Sequence, residues 1–260
     1  MPLMLHAWLE ALPLLLGAAV VTWLASVALR NVTIVDTLWP LLFVLAAFSY
    51  ASTADAAFAG RAAVVLTLVT LWGLRLALYL GVRNFGHAED RRYAAIRQRN
   101  EPGFTWKSLY LVFALQAGLA WIISLPLLGA IVAGPRPLSW LDGLGALLWL
   151  TGWFFETVGD WQLRRFKADP ANAGRVMDRG LWRYTRHPNY FGDFCVWWGF
   201  YLLAVAAGAW WAIAGPALMS FLLLRVSGVS LLEQDIGARR PGYAEYVRRT
   251  NAFFPGRTRT

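Results

Sequence analysis

The chain has 260 residues, of which 58% are hydrophobic and 15% charged, and it carries a formal net charge of +9. A soluble domain usually has about 25% charged residues, so this composition argues against a soluble globular protein. The basic excess does not indicate nucleic acid binding, because no basic, aromatic module stands apart from the apolar segments. The single cysteine excludes an internal disulfide and a thiolate metal cage, and no metal site is predicted.

Long apolar runs dominate the chain. A run of about 20 mostly apolar residues crosses the hydrocarbon core of a bilayer as one helix. Seven such runs occur, at residues 7–29, 33–54, 61–83, 107–133, 138–160, 190–208 and 210–230. The sequence therefore predicts an all-α integral membrane bundle of about seven transmembrane helices, within one membrane domain of residues 1–260.

Lysine and arginine residues are distributed unevenly between the connections. They concentrate between the third and fourth runs, between the fifth and sixth runs, and in the C-terminal tail, whereas the opposite connections hold only Arg61 and Arg136. Because cytoplasmic loops carry the Lys/Arg excess, the N-terminus is predicted outside and the C-terminus in the cytoplasm.

Polar residues gather at the end of the fifth run. Glu156 and Asp160 are four residues apart and share a helix face, which Arg164 continues. Ionisable residues are costly inside a membrane and usually mark function. Two interpretations stay open: a salt-bridged helix end, and a wet pocket that opens to the cytoplasm.

A second polar stretch, residues 178–193, leads into the sixth run. Asn189 and Asp193 can share one helix face, and Pro188 suits the first turn of that helix. Arginine side chains here offer planar forks that match phosphate oxygens. Together these groups suit a nucleotide-like ligand, although His187 alone is equally consistent with a buried helix start.

On these residues the sequence resembles the steroid 5-alpha-reductase family, in its bacterial branch. The resemblance covers residues 140–256 well and the first half more loosely. It implies a seven-helix enzyme of the bacterial inner membrane, with active-site loops that face the cytoplasm. Such an enzyme binds NADPH and reduces the C4–C5 double bond of a 3-oxo-Δ4 steroid or a similar lipid enone. Residues 1–135 would then form the substrate side and residues 136–260 the cofactor side.

The resemblance also implies which residues contact NADPH. The main candidates are Asp160, Arg164, Lys167, Arg175, Arg186, His187, Asn189, Tyr190 and Asp193. Further candidates are Asp90, Arg91 and Tyr93, from a loop that covers the cofactor in the family, and Glu233 at the end of the last run. The alternative for residues 89–93 is an amphipathic helix start, with acids first and bases later.

The catalytic prediction centres on Asp36. Mammalian family members hold the ketone with a Gln-Glu pair on the second span and a Tyr on the third, whereas this sequence offers Val35–Asp36 and Trp72. Asp36 would have to be protonated to donate a hydrogen bond to a carbonyl, as a carboxyl in an apolar site can be. Its alternative role is a helix cap. The other expected members of the site are Trp39, Arg75 and Tyr79.

Two other classes of function remain. A membrane methyltransferase similar to isoprenylcysteine carboxyl methyltransferase would use Arg186–His187–Pro188 to hold S-adenosylmethionine, but Asn189 and Asp193 favour the reductase. A non-enzymatic lipid transporter or scaffold would place polar residues at both ends of a midplane cavity, whereas here they gather at one face. The expected partners are a lipid-like substrate and membrane lipid, with no protein partner evident.

Overall fold

The computed structural model describes residues 2–55, 60–134, 136–226 and 242–259, and every regular element in these ranges is helical. The chain divides into two compact units. The first unit comprises Met1–Ser139 and Leu203–Ala214, and the second comprises Trp140–Leu202 and Gly215–Thr260.

The first unit contains seven helices within its described residues. They are α1 (Pro2–Leu29), α2 (Val35–Thr53), α3 (Gly60–Asn84), α4 (Arg91–Asn100), α5 (Phe104–Ser108), α6 (Leu115–Ile123) and α7 (Leu125–Val132). A 3-10 turn, Val32–Ile34, leads into α2, and a π-helical segment, Leu109–Ala114, joins α5 to α6.

The second unit is built mainly on two long helices. Its described helices are α8 (Trp140–Ala168), α9 (Pro188–Ala206), α10 (Ala214–Phe221) and α11 (Tyr243–Arg249). The last residues of α9, from Leu203 onward, are assigned to the first unit. Short 3-10 turns at Pro170–Asn172 and Gly180–Arg183 lie in the connection between α8 and α9. A π-helical segment, Leu222–Val226, follows α10.

Four helical stretches are long and apolar enough to cross a membrane: Leu3–Leu29, Val32–Thr53, Gly60–Asn84 and Phe104–Ile123. They confirm the first four predicted runs as apolar helices of spanning length. The three later runs stay predictions as spans, and so does the orientation of the termini. Residues 227–230 of the last run lie outside the described residues.

Helix α1 shows why these helices belong in lipid. Ala7, Ala11 and Leu15, four residues apart, are fully buried on the face that packs against its neighbours. The other face leaves Val21 67% and Leu24 56% exposed. An exposed apolar surface of this kind is unfavourable in water and favourable against lipid tails.

Helices α8 and α9 pack through glycines, so that their backbones approach closely. A Cβ placed on Gly152 would lie 2.6 Å from the backbone nitrogen of Val196, and one on Gly199 would lie 2.8 Å from that of Trp149. Small residues of this kind allow close helix contact where lipid supplies no hydrophobic driving force. The contact fixes one face of α8 against α9.

We predict that Gly152→Ala destabilises the second unit, because the added methyl group strikes backbone atoms that cannot rotate away. Overpacking of this kind costs ~1–3 kcal/mol in the free energy of unfolding. The matched control is Gly143→Ala in the same helix, where a Cβ meets nothing within 4 Å. Thermal unfolding in detergent micelles measures both variants, and equal unfolding temperatures would contradict the prediction.

Candidate functional site

Asp36 is the centre of a polar cluster in the first unit. It lies in the first turn of α2, and its side chain is 13% exposed. The Tyr93 hydroxyl donates to its Oδ1 at 2.6 Å, while Arg92 and Arg83 donate to its Oδ2 at 3.2 and 3.5 Å. These three donors, two of them cationic, suit an ionised carboxylate that accepts hydrogen bonds.

The capping role proposed as the alternative for Asp36 is carried by another side chain. Asn31 accepts a hydrogen bond from the amide of Thr33 at 2.9 Å and so caps the 3-10 turn that leads into α2. The residue before α2, Ile34, makes no side-chain cap.

Helix α4 brings Arg92 and Tyr93 to Asp36. Its N-cap is Asp90, whose carboxylate accepts from both the amide and the Nε of Arg92 at 2.9 Å. The amide of Asp90 in turn donates to the Thr33 hydroxyl at 2.8 Å. Burial raises the pKa of Asp90, but the hydrogen bonds and charge of Arg92 outweigh it and leave that pKa below its ordinary value.

A second tie holds the same segment. Glu89 accepts from the amide of Val32 at 2.9 Å and forms a two-point ion pair with Arg97, at 2.9 and 2.8 Å. The hydrogen bond from Arg97 is the main reason that the pKa of Glu89 is lowered. Residues 89–93 therefore form a helix start with acids first and bases later, which confirms that interpretation of the sequence.

Tyr93 links Asp36 to a further polar group, Gln116. Tyr93 is 7% exposed, and burial together with the charge of Asp36 raises its pKa, so it stays a neutral phenol. The Gln116 amide donates to the Tyr93 hydroxyl at 3.2 Å, while its buried Oε1 has no hydrogen-bond partner among the described residues. Sequence reasoning missed Gln116, although it is the only amide side chain in run 107–133.

The other predicted catalytic residues lie on α2 and α3. The Arg83 guanidinium, which contacts Asp36, also lies 6.0 Å from the ring centroid of Tyr79, so the structure brings Tyr79 near Asp36. Trp39 is half-buried and packs edge-on against Phe43 at 5.0 Å. Arg75 is half-buried on α3, one turn before Tyr79.

In the second unit, the polar residues of α8 and α9 meet. The Asn189 amide donates to Oδ1 of Asp160 at 3.1 Å, and its carbonyl oxygen accepts from the amide of Tyr190. Asp160, Glu156 and His187 are all at least 95% buried. The start of α9 is thus held against the polar end of α8.

One face of α8 carries a row of buried donors. Trp149, Trp153 and Thr157 follow at spacings of four residues, and Asp160 and Arg164 continue the same face. The two indole N–H groups and the Thr157 hydroxyl have no hydrogen-bond partner within the described ranges. Because buried donors are rarely left unpaired, this face suits a ligand that is rich in acceptor oxygens.

The remaining cofactor candidates of the second unit have different surroundings. The Arg186 guanidinium donates to the carbonyl oxygens of Val247 and Thr250, at 3.3 and 2.8 Å, and so holds the C-terminal segment. His187 stacks on Tyr190 with ring centroids 5.7 Å apart. Asp193 lies one turn after Asn189 on α9.

Basic residues follow the polar end of α8. Arg164, Lys167 and Arg175 are exposed, and Arg164 makes no ion pair among the residues that the structure describes. They are therefore accessible to an anionic group. Glu233 lies outside the described residues.

The three further candidates from the 89–93 segment belong to the first unit. Asp90 caps α4, Tyr93 contacts Asp36, and Arg91 is the exposed first residue of α4. The structure thus separates the predicted residues into an Asp36 cluster in the first unit and an Asp160–Asn189 cluster in the second.

Comparison with known proteins places this chain in a family. An uncharacterized protein of Schizosaccharomyces pombe is 28% identical over 272 residues, which cover 90% of this chain and 76% of the relative. Human 3-oxo-5-alpha-steroid 4-dehydrogenase 1 is 35% identical over 98 residues, 37% of this chain and 33% of that enzyme. No solved structure matches significantly. Residues 22–250 match the family described as "Protein of unknown function (DUF1295)", and because this match covers most of the chain, the chain belongs to that family.

Proposed function

We propose that this protein is a membrane reductase that uses NADPH to reduce the double bond of a lipid enone, of the 3-oxo-Δ4 steroid type. The observation that carries the proposal is the row of buried donors on α8 beside the Asp160–Asn189 pair and the exposed Arg164. The partial similarity to the human 3-oxo-5-alpha-steroid 4-dehydrogenase supports the same chemistry. The apolar helices support a substrate that enters from lipid.

The second unit would hold the cofactor. The α8 donors match the acceptor oxygens of a dinucleotide, and Arg164, Lys167 and Arg175 would meet the 2′-phosphate that distinguishes NADPH from NADH. When bound, NADPH supplies a hydride to the β-carbon of the enone. Asp160 and Asn189 would fix the part of the dinucleotide that lies along the start of α9.

The first unit would hold the substrate carbonyl. Negative charge develops on the carbonyl oxygen as the β-carbon is reduced, and donors aimed at that oxygen lower the barrier. Tyr93 and Arg92 are such donors, and Asp36 positions both of them. The proton of the Asp36–Tyr93 hydrogen bond belongs to Tyr93, which would present it to the carbonyl oxygen. The enolate that results would then take a proton from water at its α-carbon.

We further propose seven membrane crossings with the C-terminus in the cytoplasm, as the Lys/Arg asymmetry predicts. An alkaline phosphatase fused after Thr260 should be inactive in a bacterial host, whereas a green fluorescent protein at the same place should fluoresce. A phosphatase fusion that is active in the periplasm would reverse the orientation and the side from which the cofactor binds.

We predict that NADPH binds more tightly than NADH and that Arg164→Gln removes the difference. Loss of one charge-assisted contact should weaken NADPH binding about 10- to 100-fold and leave NADH binding unchanged. Isothermal calorimetry on the purified protein measures both affinities.

The control for this experiment is Arg165→Gln, the same charge change at the next residue. The Arg165 guanidinium lies 5.6 Å from the ring of Trp161, and its position on α8 is turned about 100° from that of Arg164. Equal affinity of the wild type for both nucleotides would contradict the cofactor proposal. Binding of S-adenosylmethionine alone would favour the methyltransferase instead.

We predict that Asp36→Ala and Tyr93→Phe each reduce turnover of a 3-oxo-Δ4 steroid such as progesterone roughly 100- to 1,000-fold, because each removes part of one carbonyl-polarising pair. NADPH binding should survive in both variants. The double variant should be no slower than the slower single variant, since the two groups act as a unit. Tyr110→Phe, at a tyrosine that is 59% exposed in the first unit, is the matched control.

Asp36→Asn separates the possible roles of the carboxyl group. The asparagine oxygen can still accept from Tyr93, but the amide carries no negative charge to hold Arg92 and Arg83, so partial turnover is expected. Loss of thermal stability with near-normal turnover in both Asp36 variants would show a purely structural role. The carbonyl contact would then fall to Arg75 or Tyr79.

A further inference from the structure

A cleft of about 630 Å³ lies in the second unit between the 178–183 turn and the C-terminal segment. Four arginines line it: Arg179, Arg183, Arg249 and Arg259. Asp178 is the only acidic side chain in its lining within the described residues. We call this cavity the arginine cleft.

The walls of the arginine cleft are fixed by hydrogen bonds. The Thr185 hydroxyl donates to the carbonyl oxygen of Phe253 at 2.7 Å, and the amide of Gly256 donates to the carbonyl oxygen of Tyr184 at 3.1 Å. These bonds hold the C-terminal segment against the chain that precedes α9. The walls of the cleft are therefore held by the protein's own contacts, and little ordering would oppose binding.

Most of the positive charge in the cleft is not compensated. Arg249 has carboxylate partners in Asp178 at 3.8 Å and Glu245 at 3.3 Å. Among the described residues, Arg179 and Arg183 form no ion pair, and the Arg259 guanidinium donates only to the neutral amide oxygen of Asn251, at 3.4 Å. Like charges around one cavity repel each other, and a bound anion would remove that repulsion.

The arginine cleft is separate from the donor row on α8. The turn that forms one of its walls is held to α8 by Gln162, whose Oε1 accepts from the amide of Leu181 at 3.0 Å. Gln162 and Arg164 are two residues apart, which places them on roughly opposite sides of the helix. The cleft thus belongs to the side of α8 that faces away from Arg164.

A tryptophan next to Gln162 on α8 indicates the depth of the cleft in a membrane. Trp161 is 56% exposed, and the Arg165 guanidinium lies 5.6 Å from its ring. Tryptophan and arginine are typical of the lipid headgroup level. The 178–183 turn docks one residue further along α8, at Gln162, within reach of headgroup phosphates.

We propose that the arginine cleft binds an anion that carries two linked phosphate groups, because three uncompensated guanidinium groups around one cavity match the charge and the oxygen geometry of such an anion. The source is either a lipid with two phosphate groups or a soluble diphosphate. The proposal goes beyond the reductase function and does not depend on it.

The first experiment titrates inorganic pyrophosphate into the full-length protein in neutral detergent, by calorimetry, with saturating NADPH present. We expect binding in the wild type, a roughly tenfold loss in Arg179→Gln or Arg183→Gln, and a larger loss in the double variant. Arg257→Gln is the matched control. Arg257 is an exposed arginine in the same C-terminal segment that does not line the cleft.

The second experiment identifies the source of the anion. The wild type and the double variant are reconstituted in phosphatidylcholine nanodiscs with and without cardiolipin, and retained lipid is counted by mass spectrometry after detergent extraction. Cardiolipin that stays with the wild type and not with the double variant identifies a lipid site. Pyrophosphate binding without cardiolipin retention identifies a soluble ligand.

Three results would overturn the proposal. One is an absence of both pyrophosphate binding and cardiolipin retention in the wild type. Another is an equal loss in Arg257→Gln, which would show general charge attraction. The third is displacement of pyrophosphate by NADPH, which would make the cleft part of the cofactor site. If the protein binds pyrophosphate but does not bind NADPH, the reductase proposal is wrong and the proposal for the arginine cleft is supported.

Discussion

A buried carboxylate needs compensating donors, and in the first unit this requirement decides how the polar end of the helices is built. Asp36 lies at the start of an apolar helix, where an unpaired charge would be costly. Its partners come from the end of α3 through Arg83 and from α4 through Arg92 and Tyr93. One anion therefore joins three helices. The same contacts give Arg92 and Tyr93 fixed positions, which are what a site for a developing oxyanion requires, so stability and chemistry in this unit depend on the same group.

In the second unit, the polar residues are positioned by the close approach of the α8 and α9 backbones rather than by charge. Glycines on α8 and α9 allow the two backbones to approach, and this approach sets Asn189 beside Asp160. Because one face of α8 is packed against α9, the adjacent face of α8 cannot also contact α9. The indole N–H of Trp153 and the hydroxyl of Thr157 are therefore left without a described partner, although a soluble helix could expose them to water. A ligand along that face would complete the hydrogen bonding that the packing leaves incomplete.

Composition and periodicity were sufficient to predict the four apolar helices and to offer the helix start at residues 89–93 as one of two alternatives, because both depend on neighbours in sequence. The contact between Asp36 and Tyr93 could not be predicted, since it joins residues 57 positions apart and depends on how α4 folds back. The hydrogen bonds from Arg186 to two carbonyl oxygens of the C-terminal segment could not be predicted either, because they also join residues far apart in sequence. Run 107–133 was predicted as one helix, but α6 ends at Ile123 and a new helix begins at Leu125. Pro126, in the first turn of that new helix, was the local signal for the break.

The arginines of the connections show why charge asymmetry alone does not explain this sequence. An arginine that only sets membrane orientation needs a position near a helix end and contact with water, and it needs no particular neighbour. Some arginines here have structural partners instead, as Arg97 has in Glu89. Others, Arg179 and Arg183, have no described partner and yet converge on one preformed cavity. Orientation would be served equally well by dispersed charges, which repel each other less. The convergence of uncompensated guanidinium groups is therefore better explained by an anion that they bind together than by topology.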